Sequence, residues 1–278
     1  MGEAVAERPV PGAMERARWM VVDTGVVAGR YLSHLVRKPD EVVGTLLIPV
    51  LAVLLFGFVF GEAMGEVLGE GGNYRGFLMP GLFALTMAFG IGNTTIAVVT
   101  DVGRGVVDRF RTLPMAPSAL LAGRSVADVV SALVDLAVLV LMGRLIGWQW
   151  HNGLWAALAG LGLLLWLRLA FTWVGIWLGL VVRSPEAAMK FFSLVFPLAM
   201  VAETFVPVHT MPGWLVPVAE WNPLSATVVA ARELFGNPGG AGQGWMAEHA
   251  VGVALAWPAV LLLVFVPLAV VRFRRMSR

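Results

Sequence analysis

Between Arg75 and Asp101 the chain reads GFLMPGLFALTMAFGIGNTTIAVVT (residues 76–100), 25 consecutive residues without a charge. About 20 mostly apolar residues carry a helix across the hydrocarbon core of a bilayer, whereas the core of a soluble domain needs no uncharged run of this length. The stretch points to an all-α, polytopic membrane protein. Working outward, a second run, Val42 to Gly61, lies between Glu41 and Glu62, and a third, Ala250 to Val271, stands near the end of the sequence. Composition agrees: 58% of the 278 residues are apolar and 14% charged, against about 25% charged in ordinary soluble domains.

The interval between these runs is apolar but punctuated by single charges, and polar and Pro/Gly clusters divide it. Ala119 to Gly147 reads as a span ending at GWQWHNG (147–153), whose Trp148 and Trp150 suit a membrane interface. Leu154 to Val182 is stopped by Arg183-Ser184-Pro185-Glu186, and Ala187 to Val206 by Pro207. One transmembrane domain over 1–278 results, with six spans at about 42–61, 76–100, 119–147, 154–182, 187–206 and 250–271. Residues 207–249 are too apolar for an ordinary loop and too broken by Pro212, Pro217 and Pro223 for a span. They read as short helices in, or dipping into, the outer interface, where irregular backbone is tolerated only if protein or water satisfies it. A cytoplasmic amino terminus places sixteen of the 20 Lys and Arg residues inside, leaving Arg75, Arg144 and Arg232 outside and Arg168 in the membrane. The positive-inside rule thus predicts both termini in the cytoplasm.

Several classes of chemistry are excluded or unsupported. There is no cysteine, hence no disulfide or thiolate site, and His34, His151, His209 and His249 have no metal-ligand spacing. The first twenty residues lack the apolar core of a signal peptide. No GxxxxGK[ST] phosphate loop is present, so the chain is expected to bind no cofactor and not to be an enzyme. Nothing points to a nucleic-acid partner. Residues rich in Gly, Ala, Val and Arg, with only two lysines, suggest a GC-rich bacterial genome and thus a bacterial plasma membrane.

Two segments stand out beside the spans. Over residues 14–40, Met14, Trp19, Val22, Val26 and Val27 recur at near-helical spacing with Arg16, Arg18, Asp23 and Arg30 between them. Such an amphipathic helix lies along a leaflet, apolar face toward the lipid acyl boundary. In the loop 101–118, TDVGRGVVDRFRTLPMAP occupies residues 100–117: Asp101 is placed to cap a short helix, Val106, Val107 and Phe110 give it an apolar edge, and Pro114 and Pro117 stop it. The same residues also suit an ordinary cytoplasmic loop.

The run Gly105-Val106-Val107-Asp108-Arg109-Phe110-Arg111-Thr112-Leu113-Pro114, followed by Leu120-Leu121-Ala122-Gly123-Arg124, resembles the cytoplasmic motif of ABC-2 type permeases, especially the daunorubicin/doxorubicin-resistance branch. Phe205-Val206-Pro207, Met211-Pro212-Gly213-Trp214-Leu215 and Asn222-Pro223-Leu224-Ser225, with Arg232, resemble that family's outer segment. One departure is Asp101-Val102-Gly103-Arg104, where the family often has a denser charged cluster. The resemblance implies a permease subunit of an ATP-binding-cassette exporter of hydrophobic or amphipathic small molecules. It implies a coupling helix in which Asp101, Arg104, Gly105, Asp108, Arg109, Phe110, Arg111 and Pro114 meet a separate ATPase subunit that holds ATP and Mg. It also implies a second permease copy, homo- or heterodimeric.

Ionisable residues inside a membrane are costly and by default functional. Asp135, Arg168 and Glu203 fall within predicted spans. Asp135 and Arg168 lie at similar depth and are expected to pair, either joining two spans or lining a transport pathway. Glu203 lies nearer the outer surface, where it would line an exit path or else cap or pair with the outer segment. The Gly57/Gly61 and Gly175/Gly179 pairs permit close helix packing. Two other classes stay open at this point: a secondary transporter, for which no repeated halves are visible, and a membrane enzyme acting on lipid-linked substrates, for which no facing catalytic constellation is visible.

Overall fold

A computed structural model of the chain describes residues 13–37, 39–59, 73–106, 118–182, 184–239 and 245–276. Every regular element among them is helical. In order these are α1 (Ala13–Arg37), α2 (Pro39–Leu54, continued by a π turn, Leu55–Val59), α3 (Tyr74–Gly103), α4 (Ala119–Leu145), α5 (Gly153–Val181), α6 (Pro185–Val201), a 3-10 turn (Val208–Thr210), α7 (Val216–Glu220), α8 (Pro223–Phe235), α9 (Trp245–Glu248) and α10 (Ala250–Arg275). Four of them, α3, α4, α5 and α10, are long and apolar enough to cross a membrane, and α2 supplies a shorter apolar rod over Val43–Val59.

Local chemistry sets the helix ends. Asn73 starts α3 by accepting a hydrogen bond from the Gly76 amide at 3.0 Å. Gly105 follows its end at φ +66°, a left-handed position that glycine adopts at no steric cost. Ser184, Pro185 and Glu186, which punctuate the sequence as a stop, form the start of α6: the Ser184 hydroxyl accepts from the Ala187 amide at 3.2 Å and Pro185 occupies the first turn. Asn222-Pro223 starts α8 in the same way, with the Asn222 side-chain Oδ1 accepting from the Leu224 amide at 2.9 Å.

Helix α3 is the axis of the molecule. Its flank meets α5 at Gly175 and Gly179: a Cβ at Gly175 would lie 2.9 Å from the Ile91 carbonyl oxygen, and one at Gly179 would lie 2.6 Å from Val98 Cβ. This small-residue pair therefore packs two helices of one chain together. Gly123 on α4 does the same for α1, where a Cβ would lie 2.6 Å from Val27 Cβ and 2.9 Å from the Thr24 carbonyl. Val27 and Ala28 are accordingly buried, while Trp19, Val22 and Val26 are exposed on the other side of α1. The apolar edge expected along α1 thus excludes Val27, which seals the helix to the bundle.

Two further expectations are corrected. Helix α6 stops at Val201 rather than reaching Val206, because Ala202 turns extended and the following residues peel away to pack over Gly81 of α3. Trp148 is not an interfacial residue facing lipid: it is fully buried, edge-on to Phe83 at 5.1 Å and Phe235 at 5.3 Å between ring centroids.

Candidate functional site

At the end of the bundle where α1 lies, one chain of polar contacts links three helices. The Tyr31 hydroxyl donates to Asp101 Oδ2 at 2.8 Å. The Arg124 guanidinium sits 4.9 Å from the centroid of the Tyr31 ring, and its Nε pairs with Asp128 Oδ1 at 3.0 Å. Asp128 Oδ2 accepts from the Thr94 hydroxyl at 2.6 Å. Burial, then the Asp101 carboxylate, push the Tyr31 phenol above the usual range, so at neutral pH it is a hydrogen-bond donor. Asp101 lies in the last turn of α3, inside a helix rather than capping a new one. Arg104 and Gly105 form that helix's exit. Asp108, Arg109, Phe110, Arg111 and Pro114 lie outside the described residues. Sequence reasoning missed Asp128, although its spacing four residues after Arg124 in an apolar helix is a readable pairing signal.

Deeper in the bundle, Arg168 and Asp135 line one cavity of about 500 Å³ together with Gly44, Thr45, Asn93 and Ser131. They face the same space, but no direct ion pair joins them; Arg124 and Asp128, which also line it nearer the α1 end, are paired with each other. The Arg168 head lies instead across α3 at Gly90, where a Cβ would lie 0.8 Å from Nη1, and Nη1 donates to the Met87 carbonyl at 3.4 Å. Its Nε has no partner.

At the opposite end, Arg232 of α8 is fully buried. Its Nε donates to the Phe77 carbonyl at 2.9 Å and its Nη2 to the Glu203 carbonyl at 2.6 Å. The guanidinium lies 3.5 Å from the centroid of the Phe77 ring, and Nη1 is 3.8 Å from Glu203 Oε1. Glu203 Oε1 also accepts from the Val208 amide at 3.4 Å, so this carboxylate is engaged within the segment after α6. Asn237 accepts from Trp148 Nε1 at 2.8 Å and donates to the Gln149 carbonyl at 2.9 Å, docking the end of α8 on the α4–α5 loop. Of the other outer-motif residues, Pro207 precedes the 3-10 turn, Pro212 and Trp214 lie before α7 with Trp214 exposed, and Asn222 and Pro223 open α8.

The architecture is that of a helical membrane protein with a buried polar network at each end and a charged cavity between them. The ABC-2 type transporter family model matches residues 23–235, and the chain belongs to that family. It is 31% identical over 251 residues to a daunorubicin resistance ABC transporter permease protein, DrrB1, of Streptomyces coeruleorubidus, covering 87% of this chain and 85% of the relative. It is 27% identical over 278 residues to a probable doxorubicin resistance ABC transporter permease protein, DrrC, of Mycobacterium tuberculosis, covering 98% and 96%. A putative transport permease, ycf38, of Cyanophora paradoxa is 24% identical over 76% of this chain and 73% of its own length.

Proposed function

We propose that the chain is the membrane-spanning subunit of an exporter of hydrophobic or amphipathic compounds, in the plasma membrane of a bacterium. A separate ATPase subunit would supply the ATP and Mg, and a second permease copy would complete the unit. The names of the drug-resistance relatives support the cargo class. The observation that carries the reading is the Tyr31–Asp101 hydrogen bond of 2.8 Å. It fastens the amphipathic α1 to the last turn of α3, at the start of the segment 101–118. An ATPase that moves this segment would move α1 and α3 together, and the energy of ATP binding would shift the bundle between its states. Within the segment Asp101, Arg104, Gly105, Asp108, Arg109, Phe110, Arg111 and Pro114 are assigned the contact.

Six crossings are supported by where the two shorter helices end. Helix α2 starts two residues after α1, and within its π turn the Gly57 carbonyl accepts from Arg75 Nε at 3.3 Å, beside the start of α3. Helix α6 starts just after α5, and the residues that follow it reach Thr204, packed against Gly81 in the first third of α3. Each therefore runs from one end of the bundle to the other. With the charge asymmetry of the sequence, this supports a cytoplasmic α1 end with both termini inside, and an Arg232–Glu203 pair near the outer surface that would brace the outer segment.

The test is copurification. The full chain is expressed with a cassette ATPase encoded beside it, and wild type is compared with Asp108→Ala/Arg109→Ala. ATPase bound to wild type and lost from the variant, at equal permease yield in the membrane, is the expected result. No ATPase on either chain would overturn the reading.

A further inference from the structure

The cavity between α2, α3, α4 and α5 holds about 500 Å³, far more than the roughly 30 Å³ that one water takes up in the liquid. Four charged side chains face it: Arg124, Asp128, Asp135 and Arg168. Arg124 and Asp128 are committed to each other, and Asp128 also to Thr94. Arg168 is 6% exposed, yet of its five N–H groups one makes a long bond of 3.4 Å and Nε makes none. Gly90 lets the guanidinium come up against the α3 backbone, where any side chain would displace it. Asp135 faces the same space without an ion pair to it. A buried charge short of partners costs free energy that a suitable ligand would recover.

We infer that this cavity binds the headgroup of a zwitterionic amphiphile, its anionic centre on Arg168 and its cationic centre on Asp135. The paired charges explain the zwitterion. A simple anion drawn to Arg168 meets the Asp135 carboxylate, and a simple cation drawn to Asp135 meets the guanidinium; a ligand carrying both signs satisfies both. The mouth explains the amphiphile. Gly44 and Thr45 on α2 and Val134 on α4 line the cavity and are themselves exposed, and Val43, Leu47 and Leu133 beside them present apolar surface outward. Apolar chains can follow that rim while the headgroup turns inward. The site needs neither an ATPase nor transport, so it can fail with the exporter reading intact, and the reverse.

The experiment uses the full chain in a neutral detergent, titrated with dihexanoyl phosphatidylethanolamine, dihexanoyl phosphatidylglycerol and glycerophosphoethanolamine, with adducts read by native mass spectrometry. Wild type is expected to hold the zwitterionic lipid at least about tenfold more tightly than the anionic one. Asp135→Asn should erase that preference, and Arg168→Gln should weaken both lipids. Should the charge variants fail to fold, Gly44→Phe carries the test: a Cβ there meets no atom within 4 Å, so a side chain can start from this position at the mouth, where a ring is expected to obstruct entry. It should lose the adduct. Equal binding of the two lipids by wild type, retention by Gly44→Phe, or equally tight binding of the chain-free headgroup would each overturn the site. Phosphatidylethanolamine already on the chain when purified from the membrane would make the bilayer the source; a site that fills only on titration would make the source a transported amphiphile.

Discussion

Arg232 shows how a single side chain closes one end of this molecule. It is fully buried, it donates to the backbone carbonyls of α3 and of the segment after α6, and it lies over the Phe77 ring. Removing one partner of a buried ion pair strands the other charge and typically costs about 3–5 kcal/mol. Arg232→Ala should therefore sharply lower the folded fraction recovered from membranes, read as the monodisperse peak in size-exclusion chromatography. Arg232→Lys should fail to restore it, because a single ammonium cannot reproduce the guanidinium fork that reaches the Phe77 and Glu203 carbonyls through separate nitrogens. Full recovery with lysine would mean that charge alone matters. In sequence this arginine was visible only as part of an outer motif. Its partner Glu203 read equally well as a pathway residue or as a pair for the outer segment, and only the path of the chain after Val201 brings the two together. Asp135 and Arg168 illustrate the converse: depth along two helices placed them at one level, but helix rotation and the gap at Gly90 turned Arg168 toward α3 instead of into a direct pair.

At the scale of elements, the contact between α1 and the bundle is the most consequential for coupling. Tyr31→Phe keeps the ring under Arg124 and deletes only the bond to Asp101. A hydrogen bond to a charged group contributes about 1.5–3 kcal/mol, so amide exchange along α1 should quicken by roughly tenfold or more while α3 and α5 stay protected. Unchanged exchange in α1 would mean that the Val27–Gly123 packing holds the helix by itself. Helices α3 and α10 were legible because uncharged length is a strong signal in lipid, and α4 and α5 because polar and Pro/Gly clusters divide a long apolar interval. Their ends were legible to within a few residues, since charged, polar and Pro/Gly residues such as Arg75, Asp101 and Arg183-Ser184-Pro185 bound the apolar runs. What could not be read was side: which flank of α1 faces the bundle, or that Trp148 lies among Phe83 and Phe235. Along an all-apolar helix, hydrophobic periodicity no longer separates the inside from the lipid face. Glycines carried that information instead, at Gly123, Gly175 and Gly179, but a sequence does not say which neighbour a glycine admits.

Across the whole molecule the two polar networks have opposite designs, and the difference bears on orientation. The α1 end gathers the close of α3, α5 and α10 with the start of α4, in a cluster that includes Val27, Leu121, Leu180 and Phe273. The far end gathers the starts of α3 and α5 with α8 and the α4–α5 loop. Helix α10, the most apolar of the four long helices, is also the least buried within the chain, as expected where lipid rather than water is the outer solvent. If α2 and α6 complete the crossings and the charge asymmetry sets the orientation as proposed, the α1 end is cytoplasmic and the α7 region is outside. The sequence contains no cysteine, so single-cysteine labelling has no background to remove. Trp214 is 76% exposed at the far end and Ser33 is exposed on α1. In intact cells a membrane-impermeant maleimide should label Trp214→Cys and leave Ser33→Cys unlabelled, and permeabilisation should expose Ser33→Cys. Labelling of both in intact cells would leave an even number of crossings between them and remove either α2 or α6 from the membrane. Labelling of Ser33→Cys alone would invert the molecule and place the segment that follows Asp101 beyond the reach of any cytoplasmic ATPase.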